Sequence, residues 1–132
     1  MPATGKVVLD TSVVVASLRR VPGIAERLQQ PAELLVPLIA LGELEYGAER
    51  ASQPARQREA MRIFLEAATL LLPTTGTARE YGRLKAALAA AGTPLPENDV
   101  WIAAFAQEHG LALATRDAHF NQMPGLTVLD WR

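Results

Sequence analysis

The 132-residue chain contains no cysteine, which excludes disulfides, thiolate metal sites, iron–sulfur clusters and cysteine nucleophiles. A strong charge of one sign is also missing, because 13 Lys and Arg oppose 14 Asp and Glu to give a net charge of −1. Taken alone, this balance disfavours a basic nucleic-acid-binding surface. Repeats and low-complexity blocks are absent, which argues against fibrous and disordered classes.

Long hydrophobic runs are missing as well. No uninterrupted apolar run approaches the ~20 residues of a bilayer span. The segment Met1–Asp10 reaches an acid before any long apolar region, which is not typical of a signal peptide. We therefore expect a soluble, cytoplasmic protein with no membrane partner. With 49% hydrophobic residues, the chain can build one core, which predicts a single domain over residues 1–132.

Short apolar runs alternate with helical stretches along the chain. Strands are predicted at 6–9, 34–36, 70–72, 111–115 and 126–129. Helices are predicted at 12–20, 24–30, 38–50, 54–68 and 78–91, and from 98 or 99 to 109. Alternation of this kind implies parallel pairing through crossover helices, and strands that are apolar throughout are typical of sheets covered on both faces. The predicted fold class is α/β, a three-layer α/β/α sandwich around a parallel sheet of four to five strands.

Carboxylates follow two of the predicted strands. Asp10 comes directly after the first strand, and Asp117 follows Thr115 at the end of the fourth. The carboxyl ends of parallel strands share one edge of the sheet, where ligands bind in open α/β folds. Glu43 lies inside an otherwise apolar helix, and Asp99 stands at the head of another. We expect the four carboxylates to meet at this edge.

Each of these residues also has a simpler explanation. Asp10, Asp99 and Asp117 are suited to capping a helix or turn, and Glu43 could lie on a solvated helix face. His119 could approach a substrate beside Asp117, although a surface position is favoured. Only the convergence of the four acids indicates a functional site.

Carboxylates brought together repel one another unless a cation intervenes. Oxygen-only ligation, without histidine or cysteine, suits a hard cation, Mg²⁺ or Mn²⁺. Such an ion can activate water and stabilise the leaving oxygen of a phosphodiester. Hydroxyls of Ser12 and Thr115 and the amide of Asn98 would orient ligands or water, or would make only local cap and turn bonds.

The sequence resembles the PIN domain, and more narrowly the VapC-type toxins of bacterial toxin–antitoxin pairs. The resemblance covers nearly the whole chain in the expected order. It is carried by Leu9-Asp10-Thr11-Ser12, Glu43-Leu44-Glu45-Tyr46-Gly47, Pro96-Glu97-Asn98-Asp99 with Trp101-Ile102-Ala103-Ala104, Thr115-Arg116-Asp117 with Phe120, and the ending from Pro124 to Trp131.

This resemblance implies a Mg²⁺- or Mn²⁺-dependent endoribonuclease that hydrolyses RNA by a metal-activated water, leaving a 5′-phosphate and a 3′-hydroxyl. It also implies a tRNA or rRNA substrate, a cognate antitoxin and a homodimer. The family's acidic quartet falls on Asp10, Glu43, Asp99 and Asp117, and its accompanying hydroxyl on Thr115. The sequence departs from the pattern at Ser12, where Asn is frequent, and at Glu97, where a small residue is frequent.

Other functions fit the residues less well. A response-regulator receiver needs a lysine at a late strand end, and neither Lys6 nor Lys85 is there. A haloacid-dehalogenase-like phosphatase needs a second acid two residues after Asp10, where Ser12 stands. A non-catalytic PIN-like module that binds RNA or protein stays open as an alternative, although the chain keeps all four acids.

Arginine supplies 11 of the 13 basic residues and is well suited to bidentate phosphate contacts. The basic residues form two groups, one at 50, 56, 58 and 62 and one at 79, 83 and 85. Some of them are expected to hold an RNA backbone, although ordinary solvated helix surface explains each singly. Without the four presumed ligands, ten acids face 13 basic residues. Near-neutrality therefore predicts RNA binding that depends on a divalent cation.

Overall fold

Five short strands and six α-helices alternate along residues 5–132, the part of the chain that the computed structural model describes. Residues 1–4 lie outside the described residues. They belong to the predicted 1–132 domain and to the segment Met1–Asp10. The strands are β1 (Lys6–Leu9), β2 (Glu33–Pro37), β3 (Thr69–Leu71), β4 (Leu113–Thr115) and β5 (Val128–Asp130). The helices are α1 (Thr11–Leu18), α2 (Ile24–Leu28), α3 (Leu38–Glu49), α4 (Pro54–Glu66), α5 (Thr75–Ala90) and α6 (Glu97–His109), and a 3₁₀ turn spans Ala118–Gln122.

The strands form one parallel sheet in the order β3-β2-β1-β4-β5. Strand order therefore reverses beside β1, which pairs with β2 on one side and β4 on the other. The register aligns Leu9 with Ala114, so Asp10, just after β1, lies beside Thr115, the last residue of β4. Ligands bind in open parallel sheets at such a reversal.

Helices cover the sheet as the sequence predicts. Helix α1 packs against α2, α3 and α4, and α5 packs along α6. Parallel crossovers are right-handed, so the change of direction after β3 carries α5 and α6 to the opposite face. The three-layer α/β fold with a parallel sheet is confirmed.

The core is centred on β1 and β4, because both strands are covered on both faces. The three apolar residues of β1 that end at Leu9 and the whole of β4 are buried. Every buried side-chain nitrogen or oxygen among residues 5–132 has a hydrogen-bond partner. Within the same range, no helix combines the length and apolar character needed to cross a membrane.

Helix α5 begins at Thr75, three residues earlier than the predicted start at 78. The hydroxyl of Thr74 accepts a hydrogen bond from the Gly76 N–H at 3.0 Å. The Thr74 N–H in turn donates to the Thr77 hydroxyl at 2.9 Å. This pair of bonds is a capping box. The motif is usually recognised by Glu or Gln at its last position. Thr77 takes that position here, so the sequence does not reveal where the helix begins.

Strand boundaries also differ from the prediction by one or two residues. β3 spans Thr69–Leu71 because it pairs with β2 in that register, and Leu72 beyond it is 62% exposed. β4 is shorter than the predicted 111–115, and β5 lies later than the predicted 126–129. Pairing partners set these ends, and local apolar runs do not reveal them.

Helix α1 ends in an unusual way. The Arg20 N–H donates to the Ser17 carbonyl at 3.0 Å and the Val21 N–H to the Ala16 carbonyl at 2.9 Å, which is a Schellman ending. Arg20 therefore has φ +56°, and it is the only non-glycine residue with positive φ among residues 5–132. Glycine usually fills this position, because a Cβ there costs about 1–2 kcal/mol.

Phe120 anchors the 3₁₀ turn that follows Asp117, since its side chain is fully buried. We expect Phe120→Ala to lower the free energy of unfolding by about 3–5 kcal/mol, the usual loss for a large buried aromatic side chain. Urea unfolding followed by circular dichroism measures this loss. Asn121→Ala is the matched control, because Asn121 is exposed on the same turn and should change stability by less than about 0.5 kcal/mol. Equal losses in both variants would contradict the anchoring role.

Candidate functional site

Asp10 is held at the end of β1 by two hydroxyl groups. Its side chain caps α1 and is only 4% exposed. Ser12 Oγ donates to Asp10 Oδ2 at 2.6 Å, and Thr115 Oγ1 donates to the same oxygen at 2.9 Å. The Thr115 bond crosses from β4 to β1, so the register of the sheet fixes the position of the carboxylate.

Thr115 also connects Asp10 to Asp117. Its Oγ1 accepts a hydrogen bond from the Asp117 N–H at 2.9 Å, and Ser12 Oγ accepts one from the Arg116 N–H at 3.0 Å. Asp117 Oδ1 then caps the 3₁₀ turn by accepting from the His119 N–H at 2.9 Å. The capping roles considered for Asp10 and Asp117 are therefore real, and they coexist with a place in the cluster.

Asp99 lies in the first turn of α6, whose N-cap is Pro96, so Asp99 is not the cap residue. His119 Nδ1 is 3.5 Å from Asp99 Oδ2 and 3.3 Å from Asp117 Oδ1. The Asp99 side chain is 14% exposed, whereas that of His119 is 50% exposed. His119 thus lies at the rim of the cluster with its ring directed between the two acids.

Glu43 reaches the cluster from α3. Thr11 Oγ1 donates to Glu43 Oε1 at 2.5 Å, and Asn98 Nδ2 donates to Glu43 Oε2 at 3.3 Å. One bond comes from the residue after Asp10 and the other from the residue before Asp99. Glu43 is therefore held by both neighbouring elements and does not merely face solvent.

Electrostatics link the four acids. Burial is the largest cause that raises the pKa of Asp99 to about 6, followed by the charges of Asp10 and Asp117; a hydrogen bond with His119 opposes the shift, and Glu43 adds a smaller increase. Burial also raises the pKa of Asp10, although the hydrogen bonds from Ser12 and Thr115 favour its ionised form. Like charges at short range resist simultaneous ionisation. The cluster therefore has excess negative charge at neutral pH.

The donor set suits a metal ion. Asp99, Asp117 and His119 each offer a ligand atom, and these atoms all lie within 4.8 Å of one another. Carboxylates, with an imidazole at the rim, are ligands for hard and borderline divalent ions. Asp10 is not part of this group of three, but its charge helps to raise the pKa of Asp99, and the hydroxyls of Ser12 and Thr115 fix its carboxylate.

The structure brings together all five residues that the sequence singled out: Asp10, Glu43, Asp99, Asp117 and Thr115. It adds His119, for which the sequence favoured a surface position over an approach to the site; the side chain is half exposed and also lies beside the acids. The available signal was its position two residues after a capping aspartate, because an Asx-type cap turns the chain back over the acid.

Many of the basic residues have acidic partners within the chain. Arg58 bonds to Glu45 and Glu49 on α3, and Arg62 bonds to Glu59 and Glu66 on its own helix. The other pairs among residues 5–132 are Lys6–Glu33, Arg83–Glu80, Lys85–Glu97 and Arg132–Asp130. Arg58, Arg62, Arg83 and Lys85, which the sequence grouped as possible phosphate contacts, are thus neutralised locally.

Comparison with known proteins identifies the family. The PIN domain family model matches residues 7–126. Ribonuclease VapC2 of Haemophilus influenzae is 34% identical over 129 residues, which make up 96% of this chain and 98% of that protein. The tRNA(fMet)-specific endonuclease VapC of Salmonella typhimurium is 32% identical, with the same coverage of both chains.

Solved structures agree with the sequence matches. DNA-bound VapBC from Salmonella typhimurium superposes with a TM-score of 0.90 at 32% identity, over 96% of this chain and 98% of that chain. VapBC-5 from Mycobacterium tuberculosis, a member of the VapBC family of toxin–antitoxin systems, superposes with a TM-score of 0.77 at 30% identity over 99% of both chains. This chain therefore belongs to the PIN-domain family, and within it to the VapC-type proteins.

Proposed function

We propose that this chain is a Mg²⁺- or Mn²⁺-dependent endoribonuclease and the toxin of a toxin–antitoxin pair. Its substrate is an RNA such as tRNA or rRNA. Its proposed location is the cytoplasm, where these RNAs are found. Cleavage leaves a 5′-phosphate and a 3′-hydroxyl. The names of the relatives support the ribonuclease activity, and the VapBC structures support an antitoxin partner.

The observation that carries this proposal is the convergence of four carboxylates at the point where strand order reverses. Burial, and then repulsion by the neighbouring acids, raise the pKa of Asp99 to about 6, so ionising the whole cluster is unfavourable without a cation. A helix cap needs only one carboxylate, so capping alone does not explain why several acids lie together. A divalent ion relieves the repulsion, and it is attracted by the phosphate oxygens of RNA.

In the proposed site Asp10, Asp99 and Asp117 hold the ion, with Glu43 completing a position on the side of α3. A bound divalent ion supplies an acidified water and a positive charge next to the leaving oxygen. The chain supplies the orientation. Thr115 and Ser12 donate hydrogen bonds to Asp10 Oδ2 and fix its position. Thr11 and Asn98 donate hydrogen bonds to the two carboxylate oxygens of Glu43.

His119 has a separate place in this proposal. Its ring lies at the exposed rim, 3.3 Å from Asp117 Oδ1, and contributes orientation of Asp117 and Asp99 on the solvent side. The antitoxin partner and the homodimer belong to the same proposal. A bound antitoxin restrains the nuclease, and pairing of two copies is the assembly that the resemblance implies.

Cleavage is the direct test of the proposal. We expect purified protein to cut RNA with Mg²⁺ or Mn²⁺ and not with EDTA, and Asp99→Asn to reduce the rate by at least about 100-fold through loss of a ligand charge. Gel analysis of end-labelled tRNA and rRNA transcripts measures both effects.

Glu97→Gln is the matched control for Asp99→Asn. Glu97 is a carboxylate two residues earlier in the same helical turn, but it is exposed and bonds to Tyr81 and Lys85. Its neutralisation should leave the cleavage rate within a few-fold of the wild type. Cleavage that persists in EDTA or in Asp99→Asn would overturn the metal-dependent mechanism, and no cleavage of any RNA would favour a non-catalytic binding module.

The Thr115 hydroxyl is expected to matter without touching substrate. Thr115→Val keeps the shape but removes the bonds to Asp10 and Asp117, so we expect a loss of ~10–100-fold in activity or metal affinity. Thr115→Ser, which keeps the hydroxyl, should retain most of both. Kinetics at several Mn²⁺ concentrations measure the change, and equal behaviour of the two variants would exclude a role for the hydroxyl.

The raised pKa of Asp99 makes a prediction about stability without metal. The folded-state pKa of about 6 exceeds the ordinary aspartate pKa of 3.8, so ionising Asp99 opposes folding. This penalty is complete above about pH 6 and fades as the pH falls towards the unfolded value. Asp99→Asn should therefore stabilise the metal-free protein by about 1–3 kcal/mol near neutral pH, and by much less near pH 4.

Urea unfolding in EDTA at the two pH values measures this difference. Added Mn²⁺ should then stabilise the wild type and reverse the order of the two proteins, because only the wild type keeps the full set of ligands. A stabilisation by Asp99→Asn that does not depend on pH would contradict an electrostatic origin.

A further inference from the structure

Seven arginines have no carboxylate within 4.0 Å among the residues that the structure describes. Four of them, Arg19, Arg20, Arg50 and Arg56, lie on one side of the molecule around the ends of α1 and α3 and the start of α4, and all four are exposed. Unpaired guanidinium groups attract anions more strongly than ion-paired ones, because no internal partner offsets their charge.

These arginines line a cleft that starts at the acidic cluster. Its first part, about 400 Å³, is bounded by Arg19 and Arg50 and reaches Glu43. Its second part, about 490 Å³, is bounded by Arg20 and Arg56. The two parts adjoin, because Leu18, Ala51 and Gln57 line both. We call the whole the arginine cleft.

The charges in the arginine cleft are arranged asymmetrically. Glu43 is the only acid that lines it among residues 5–132, and it is hydrogen-bonded to Thr11 and Asn98, the chain neighbours of Asp10 and Asp99. Away from Glu43, the polar lining consists of arginines and of neutral side chains such as Ser52, Gln53 and Gln57. A chain of negative charges that enters the acidic cluster at one end would therefore meet arginines along the rest of its path.

Arg20 provides an independent sign that the cleft is functional. It has φ +56° at the helix ending where glycine is favoured, and glycine performs the equivalent role after α5 and α6, at Gly92 and Gly110. The Arg20 side chain makes no ion pair within the described chain that would explain its presence. Strain kept at such a position is typical of residues selected for function.

We propose that the arginine cleft binds the phosphate backbone of the RNA strand that leads away from the scissile bond. This inference rests on the proposed ribonuclease function and adds the path of the substrate. Successive phosphates contact Arg50 and Arg19 beside the site and then Arg20 and Arg56 farther out. Arginine is suited to this task, because its planar donors match phosphate oxygens.

The main test is RNA binding by single alanine variants of Arg19, Arg50 and Arg56. Each is made in the Asp99→Asn background, in which the proposed function predicts little cleavage, and affinity is compared with that of Asp99→Asn alone. It is measured by fluorescence anisotropy with labelled RNA in Mg²⁺ at several salt concentrations. Each variant should weaken binding several-fold and reduce the slope of log affinity against log salt by about 0.7, the value for one lost single-strand phosphate contact.

Arg79→Ala is the matched control. Arg79 is an exposed arginine without a carboxylate partner in the described chain, but it lies on α5 outside the cleft. Arg79→Ala removes one positive charge, as each cleft variant does, and should leave the slope of log affinity against log salt unchanged. If the cleft variants bind RNA no worse than Arg79→Ala, the proposal is overturned. An acidic protein segment would then be the better candidate for the occupant of the cleft.

Arg20→Gly separates binding from folding. Glycine relieves the positive φ, so the melting temperature should stay the same or rise, while RNA affinity should fall several-fold. Retained RNA affinity in this variant would contradict the assignment of Arg20, and lost stability would contradict the strain argument.

Cleavage by the otherwise wild-type protein distinguishes the two proposals. Arg19→Ala and Arg50→Ala in that background should raise KM for long RNA with little change in kcat. If the wild type cuts no RNA, the proposed function itself fails. If it cuts RNA and the cleft variants keep the KM of Arg79→Ala, only the cleft proposal fails.

Discussion

The hydrogen bond from Thr115 to Asp10 is the contact on which the site depends. It spans 2.9 Å between the ends of β4 and β1, the two strands at which strand order reverses. The register of Leu9 with Ala114 brings the two residues together, so the packing of the sheet directly sets the position of a buried carboxylate. Asp117 depends on the same hydroxyl through its N–H, and the 3₁₀ turn that carries His119 begins there.

The same placement brings like charges close together, and the rest of the fold must offset the free energy that their repulsion costs. Burial and neighbouring acids raise the pKa of Asp99 to about 6, so at neutral pH the folded chain holds charges that oppose one another. The buried residues of β1 and β4 supply apolar stabilisation right beneath these charges. A scaffold of this kind can tolerate a destabilising cluster, and a cation that binds only the folded state returns stability.

The sequence predicts the fold class and the acids of the site for a physical reason. Parallel strands direct their carboxyl ends to one edge, so Asp10 and Asp117 follow from strand positions alone, and an acid within an apolar helix marks Glu43. Features that depend on distant partners are not predictable in this way. His119 reaches Asp99 only because the 3₁₀ turn folds back, and Arg58 is neutralised by residues of another helix.

Net charge is misleading in this chain, because opposite charges are separated and not mixed. Many basic residues are cancelled by adjacent glutamates, while unbalanced acids gather at the sheet edge and unpaired arginines line the adjoining cleft. The two regions meet at Glu43. Without a cation, the acidic end repels a phosphate backbone that the arginines attract, and a divalent ion offsets two of the negative charges at the acidic end alone. In the proposed ribonuclease the cation would therefore act on RNA binding as well as on the chemistry, because it would weaken the repulsion at the acidic end of the path.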